Sequence, residues 1–260
     1  MIANQFLKGR VAMVTGGTKG IGKAIALAFA SAGADIAIGS RTAATSPCKA
    51  KLEALGVRVV AVNVDVRSTD DVQNFYETVV NAFGKVDILA TSAGIFPSHT
   101  MCDHPDELWQ RVMDINLNGV YRTIKSCLPG MIERKWGRII NIGSTVASFA
   151  EPELGAYCAS KAAVVALSRS VALEGAAHGV TCNVISPDWV ETPGAHIKFE
   201  KLSLAEGKST AEYIEQVKEE NPQKRIIQPE EVAALALFLC RDEAKAITMQ
   251  DLMISGGRQG

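Results

Sequence analysis

The chain has 260 residues, 47% of them hydrophobic, which suffices for one α/β domain with a well-buried core and is too few for two domains of ordinary size. Its formal net charge is -1 and the charges are scattered, so the basic footprint that a phosphate backbone demands is missing, which argues against nucleic acid as a partner. No stretch reaches the roughly 18 consecutive apolar residues of a membrane span, and MIANQFLKGR at the amino terminus runs into a short apolar strand instead of a signal-type region. A soluble, cytoplasmic protein without membrane contact is expected. The six cysteines (Cys48, Cys102, Cys127, Cys158, Cys182 and Cys240) show no ligand-like spacing, and the histidines form no H-E-x-x-H, so buried free thiols and no metal site are expected.

In chain order, apolar β-branched runs alternate with segments of helical period: RVAMV, ADIAI, VRVVAV, VDILA, GRIINI, GVTCNVI and a final DLMI. Runs apolar on both faces, joined by connections long enough for crossovers, predict a parallel sheet covered by helices on both sides. The first crossover shows its helix in the spacing of Ile21, Ala24, Ile25, Ala28, Phe29 and Ala32, which Gly33 stops. The rhythm breaks only between Pro193 and Pro229. There a charged segment contains its own helix, capped by Ser209 with Glu212 and ended before Pro222. It reads as an insertion, about 193–228, over the carboxyl edge of the sheet, where open α/β folds bind ligands.

Directly after the first strand, TGGTKGIG (Thr15 to Gly22) opens the helix. Gly16, Gly20 and Gly22 permit a tight turn, close approach of backbone to a pyrophosphate and close helix packing, while the helix amino terminus offers unpaired N–H groups to the anion. A glycine turn alone is weak; a strand before it and a helix after it favour dinucleotide binding. The second strand ends in Ser40, followed by Arg41 and Thr42, where a carboxylate would hold the ribose hydroxyls of NAD. Arg41 can fork onto a 2′-phosphate and Lys19 can add a second positive charge, so NADP(H) is the expected cofactor. Asp65, ending the third strand, is placed to accept from the adenine amino group, or to cap a turn.

Tyr157 and Lys161 in YCASK are four residues apart on a helix and share a face. An ammonium beside a phenol favours the phenolate, which predicts a Tyr157 pKa drawn from about 10 toward working pH and a side chain able to exchange a proton with a substrate oxygen. Ser144, in IINIGSTVAS past the fifth strand, could hold that oxygen. Asn116, in MDINLNGVY, reads from its surroundings as a helix-interior amide satisfied by backbone.

With these motifs in place, the chain resembles the short-chain dehydrogenase/reductase family over nearly its whole length, from the glycine loop to ISGG near the end. The resemblance implies a doubly wound, Rossmann-type sheet of seven parallel strands in a single domain with a helical lid, usually a homotetramer or homodimer, and hydride transfer between nicotinamide and a carbonyl carbon. Ser144, Tyr157 and Lys161 match the family's triad, Asn116 its tetrad asparagine, and Thr192 the residue that holds the nicotinamide carboxamide. Thr18, Ile21, Val66, Ser92, Ala93, Gly94 and Pro187 fall on further positions of its cofactor cleft. Four positions depart from the family pattern: TSAG (Thr91 to Gly94) for N-N-A-G, Pro187-Asp188 for Pro-Gly, Met249 for a glycine, and Ser255 for an aspartate. Asp188 is the one expected to matter, through its charge or through a φ penalty.

For the substrate, Phe96, Val146, Leu154, Trp189 and His196 are expected around the pocket, and mostly apolar walls suggest a neutral, medium-sized ketone or alcohol, such as a cyclic ketone or a 3-oxoacyl thioester. The layout is similar to 3-hydroxybutyrate dehydrogenases, but Phe96, Val146 and Leu154 replace the polar groups those enzymes direct at a carboxylate. The alternatives are an NADP-dependent alcohol or sugar dehydrogenase working in the opposite direction, and a dinucleotide sensor without turnover. A sensor has little need of Ser144, Asn116, Tyr157 and Lys161 together.

Overall fold

The computed structural model describes residues 5–258; residues 1–4, the first part of the amino-terminal segment, lie outside them. Seven parallel strands form one sheet: β1 (Val11–Thr15), β2 (Asp35–Ser40), β3 (Val59–Asn63), β4 (Ile88–Thr91), β5 (Gly137–Ile142), β6 (Val180–Pro187) and β7 (Asp251–Ile254), in the spatial order β3-β2-β1-β4-β5-β6-β7. Every apolar run picked out in the sequence is a strand, and β1, β4, β5 and β6 are buried along their whole length, as a sheet covered on both faces requires.

The crossovers supply α1 (Gly20–Ser31), α2 (Cys48–Glu53), α3 (Thr69–Phe83), α4 (Asp106–Met113), α5 (Gly119–Glu133) and α6 (Gly155–Ala176); after β6 come α7 (Pro193–Ala205), α8 (Thr210–Glu220) and α9 (Pro229–Leu239). Two apolar clusters fill the space on the two sides of the sheet, one around Ile25, Phe29, Ile36 and Val232, the other around Met13, Phe75, Val79, Met131 and Val164. Helix α1 is capped at its carboxyl end by Ala32, and Gly33 follows at φ 94°, the left-handed stop that its position suggests.

Strand order reverses between β1 and β4, so the loops leaving these two neighbours diverge to opposite faces and leave a crevice at their carboxyl ends. The glycine loop enters that crevice. Gly16, at φ 69°, lies so close to the Ser92–Ala93 backbone that a Cβ there would come within 2.7 Å of Ala93 N, and a Cβ on Gly22 would come within 2.4 Å of Gly16 O. Helix α1 can therefore approach its own loop only because position 22 carries no side chain.

The segment between β6 and α9 differs from expectation. It holds two helices where the sequence signals one: α8 begins with the anticipated reciprocal cap of Ser209 and Glu212, but α7 precedes it, started by Thr192, whose hydroxyl accepts from Ala195 N at 3.2 Å, with Pro193 in the first turn. Its hydrophobic period is weak because the buried face carries Lys198 and Ser203 beside Ala195 and Phe199 while Ile197 and Leu204 are exposed; Phe199 packs on Trp189 with ring centroids 4.8 Å apart. The thiols are all free, but Cys102 is exposed and Cys158 half-buried, against the expectation that all would be buried. Cys102 lies in the irregular stretch before α4, with no core to enter. No helix among the described residues is long and apolar enough to cross a membrane.

Gly22→Ala should destabilise the protein by about 1–3 kcal/mol, the usual cost of forcing a methyl against backbone. Urea unfolding monitored by circular dichroism reads the loss directly, and an unchanged midpoint would refute this account of the loop.

Candidate active site

At the carboxyl edge two cavities adjoin. The first, of about 320 Å³, is bounded by the glycine loop (Gly16, Lys19, Gly20, Ile21), the end of β2 (Gly39, Ser40, Arg41), the end of β3 (Asp65, Val66, Arg67) and the segment after β4 (Ser92, Ala93, Gly94). Thr18 stands just behind, its hydroxyl donating to Ser40 Oγ at 3.1 Å, and Thr42 N donates to the same oxygen at 3.3 Å, so Ser40 is fixed by its neighbours. The cavity is electropositive: Lys19, Arg41, Arg67 and Arg111 line it against the single carboxylate of Asp65. Arg67 and Arg111 have no motif in the sequence that would have singled them out. Asp65 is already engaged, its oxygens taking the Arg67 guanidinium at 2.5–3.0 Å, and that pair holds its carboxyl below the usual range.

The second cavity, of about 510 Å³, shares Ile21, Ser92, Gly94, Ile95 and Thr192 with the first and runs beneath α7 and α8. Ser144, Tyr157 and Lys161 stand on its inner wall, as do Pro187 and the expected Phe96, Val146, Leu154 and Trp189. One expectation fails here. His196 is not in the cavity; it is half exposed, hydrogen-bonded to Glu191 and edge-on to Phe199, because the α7 turn that buries Lys198 and Phe199 faces its ring outward. The walls are mostly apolar, as expected, but not uniformly so. Glu151, Glu153, Asp188, Lys198, Glu206, Glu220 and Arg258 also line the cavity, contributed by loops and lid helices whose facing direction a linear pattern does not carry.

The three polar side chains of the inner wall are set by the junction of β5 with α6. Ser144 leaves the end of β5 extended and caps the short 3-10 turn Thr145–Ala147. Tyr157 and Lys161 project from one face of α6, with Lys161 Nζ 5.7 Å from the Tyr157 ring centroid. Lys161 Nζ donates to Ile142 O at 2.7 Å, and burial draws its pKa down to about 8. Tyr157 behaves opposite to expectation. Burial pushes its phenol up to about 12, against a smaller downward pull from the hydrogen bond with Ser144. The ammonium does not offset this, being itself in a desolvated place where its charge is disfavoured.

Asn116 is the buried amide satisfied by backbone that its surroundings suggest. It sits in a π-helical turn, Asp114–Asn118, between α4 and α5, fully buried. Its amide exchanges hydrogen bonds with the Ile95 backbone (2.9 Å in, 2.8 Å out) and donates to Ser160 Oγ at 3.1 Å, while Ser160 donates to Tyr157 O at 2.8 Å. A methyl built on Gly94 would lie 3.4 Å from Asn116 Oδ1 and 3.8 Å from Lys161 Nζ, so amide and ammonium flank one small space. π-turns of this kind occur often at functional sites.

Of the departures, Thr91 keeps a tie between strands by donating to Asn141 Oδ1 at 2.7 Å, and Met249 takes the glycine-like φ of 65° that its position requires. Asp188 has no positive φ, which removes the expected backbone penalty; its carboxylate faces Arg258 at 3.4 Å.

A parallel sheet of this order, a glycine loop at its reversal point and a Ser, Tyr and Lys at its carboxyl edge define a dinucleotide-dependent oxidoreductase of the Rossmann class. The chain belongs to the short-chain dehydrogenase/reductase family: the family model described as "Enoyl-(Acyl carrier protein) reductase" matches residues 16–259. It is 35% identical to a D-beta-hydroxybutyrate dehydrogenase of Cupriavidus necator over 96% of this chain and 98% of that one, and 35% identical to a 3-oxoacyl-(acyl-carrier-protein) reductase of Haemophilus influenzae with the same coverage. Among solved structures, an actinorhodin polyketide ketoreductase carrying a Phe-to-Trp substitution and crystallised with NADPH superposes with a TM-score of 0.92 at 36% identity, over 95% of this chain and 96% of that one.

Folding lowers the Lys161 pKa from 10.5 to about 8, so between those values the unfolded chain binds the extra proton and this group's contribution to stability rises with pH. Below pH 8 the buried charge is a cost, with a ceiling of about 3 kcal/mol. Lys161→Met should therefore be more stable than the parent at pH 7 by about 1–2 kcal/mol, once the donor lost to Ile142 O is counted. That gain should fade as pH rises from 8 toward 10.5 in urea titrations; a variant less stable at pH 7 would contradict it.

Proposed function

We propose that this protein is an NADP(H)-dependent oxidoreductase that interconverts a ketone and a secondary alcohol, acting on a medium-sized substrate of the cyclic-ketone or 3-oxoacyl type. The observation that carries the reading is the meeting of Ser144, Tyr157 and Lys161 on one wall of a 510 Å³ cavity, where it opens into the electropositive, glycine-bounded cleft. The residues fit the cofactor. A cradle that excludes any Cβ at Gly16 and Gly22 suits a pyrophosphate, and Lys19 with Arg41, beside a strand end without a carboxylate, suits a 2′-phosphate. Asp65 and Val66 flank the adenine side; Thr192, Pro187 and Ser92 to Gly94 lie toward the nicotinamide side. When bound, NADPH supplies the hydride that reduces the carbonyl carbon.

The chain's own groups then manage one proton. Ser144 holds the substrate oxygen by its hydroxyl. Tyr157 donates its phenolic proton to that oxygen as the alcohol forms, and a phenol kept neutral by burial is in the form that donation requires. Lys161 stands by the ring to stabilise the phenolate left behind, and Asn116 fixes the Ile95 and Tyr157 backbones around it. In the oxidative direction the same atoms run in reverse. The helices over the cavity, 193–228, serve as a lid on a single catalytic domain. Exposed Tyr121 on α5 and Leu173 on α6 supply apolar surface for the homotetramer or homodimer, and the setting is the cytoplasm.

Tyr157→Phe should lower turnover roughly 10²–10⁴-fold, the worth of a positioned general acid. NADPH binding, followed by fluorescence titration, should stay within two-fold, and preserved turnover would remove the proton-transfer role. Arg41→Asp should weaken NADPH binding roughly ten- to a hundred-fold while leaving NADH binding nearly unchanged. Equal loss for both cofactors would reject the 2′-phosphate assignment.

A further inference from the structure

Arg258 reaches back from the segment after β7 into the larger cavity. Its Nη1 is 3.4 Å from Asp188 Oδ1, and its Nη2 is 3.2 Å from Glu220 Oε2 and 3.8 Å from Glu151 Oε1. All four side chains line the cavity, and each carboxylate belongs to a different wall. Asp188 follows the end of β6, Glu151 lies between the 3-10 turn and α6, and Glu220 is the last residue of α8. The same tail is tied to the turn behind α8, where buried Asn221 donates from Nδ2 to Ser255 O at 2.9 Å.

The strengths of these contacts differ in a useful way. Asp188 is only 10% exposed and stays beside the guanidinium, whereas Glu220 and Glu151 are 45% and 40% exposed and their contacts are long and unforked, so each is weak and readily broken. If α8 moves away, Arg258 keeps Asp188 as a counter-ion and no buried charge is stranded, so opening costs little. We propose that Arg258 is a positioning residue that latches the α7–α8 lid over bound substrate and thereby sets apparent substrate affinity, without touching the reacting atoms. The inference rests on reading the cavity as the substrate site of a carbonyl reductase.

The test uses the full-length enzyme with NADPH and the best ketone from a panel of cyclic ketones and 3-oxo esters. Arg258→Ala should raise KM roughly five- to ten-fold, the summed effect of a few modest ion pairs, with kcat and NADPH affinity within two-fold. Glu220→Gln should give a smaller rise, the double variant should be no worse than Arg258→Ala alone, and Arg258→Lys should recover part of the loss. An unchanged KM, or strictly additive effects, would overturn the latch; a parallel fall in melting temperature and NADPH affinity would reduce Arg258 to a structural strut and overturn it too. Hydrogen exchange reads the lid without any need for turnover. Amides of 193–220 should exchange several-fold faster in Arg258→Ala than in the parent while those of β5 and α6 do not, and equal protection of the lid in both proteins would end the proposal even if no ketone in the panel is reduced.

Discussion

A primary ammonium inside a protein must be given a partner where water is absent, and the placement of Lys161 shows what that requires of the fold. Its ammonium donates to the carbonyl of Ile142, the last residue of β5, at 2.7 Å. That carbonyl is at the right height only if α6 docks on the sheet with Lys161 level with the strand's end, and the docking is fixed by a polar seam within an otherwise apolar contact. Ser168 accepts from Asn141 Nδ2 at 2.8 Å, Asn141 accepts from Thr91 on β4, and on the same helix, next to the lysine, Ser160 accepts from Asn116. Every polar member is satisfied, so the seam fixes register without leaving a buried group unpaired. Tyr157, one turn before Lys161, takes its position from the same docking.

The scaffold was readable because it obeys local rules. Strands buried on both faces must be largely apolar, and β1, β4, β5 and β6 are; the turn into α1 must be glycine at positions 16 and 22 because backbone occupies the space of a side chain. The positions of Ser144, Tyr157 and Lys161 follow from helical spacing and from a strand end, both local as well. The parts that escaped the sequence are set by partners far along the chain. Helix α7 has no clean period because polar Lys198 and Ser203 share the buried face with Phe199, which meets Trp189, while apolar Ile197 and Leu204 are exposed. His196 reads as a pocket residue from its neighbours in sequence, but a helix turns successive side chains by about 100°, and the turn that buries Lys198 and Phe199 excludes it. Arg67 and Arg111 reach the smaller cavity from the loop after β3 and from α4, and nothing local marks either.

The charged residues of the larger cavity matter for what enters it. Phe96, Val146 and Leu154 form an apolar inner wall beside Tyr157, with Phe96 tilted against the phenol at 5.9 Å between centroids, while Glu151, Asp188, Glu220 and Arg258 form a separate ionic group. An apolar wall around the reacting carbonyl strengthens each hydrogen bond made to it by excluding water. The ionic group holds more carboxylates than guanidinium charge, and so opposes the approach of an anionic substrate from that side. The two regions together favour a neutral molecule bearing one carbonyl.

The pKa order at the inner wall also constrains the chemistry. An acidic phenol would suit abstraction of a proton from an alcohol, but Tyr157 is held near 12 and Lys161 near 8, both by burial. Desolvation penalises the charged form of each, so the protein alone favours phenol with a weakly held ammonium proton, the state from which a carbonyl oxygen is protonated. Restoring the proton to Tyr157 afterwards is easiest from the nearest group that gives one up at neutral pH, and a lysine near 8 that already neighbours the ring is such a group. In the proposed reduction, burial that looks adverse for each residue taken singly would set donor and reservoir in the order the reaction needs.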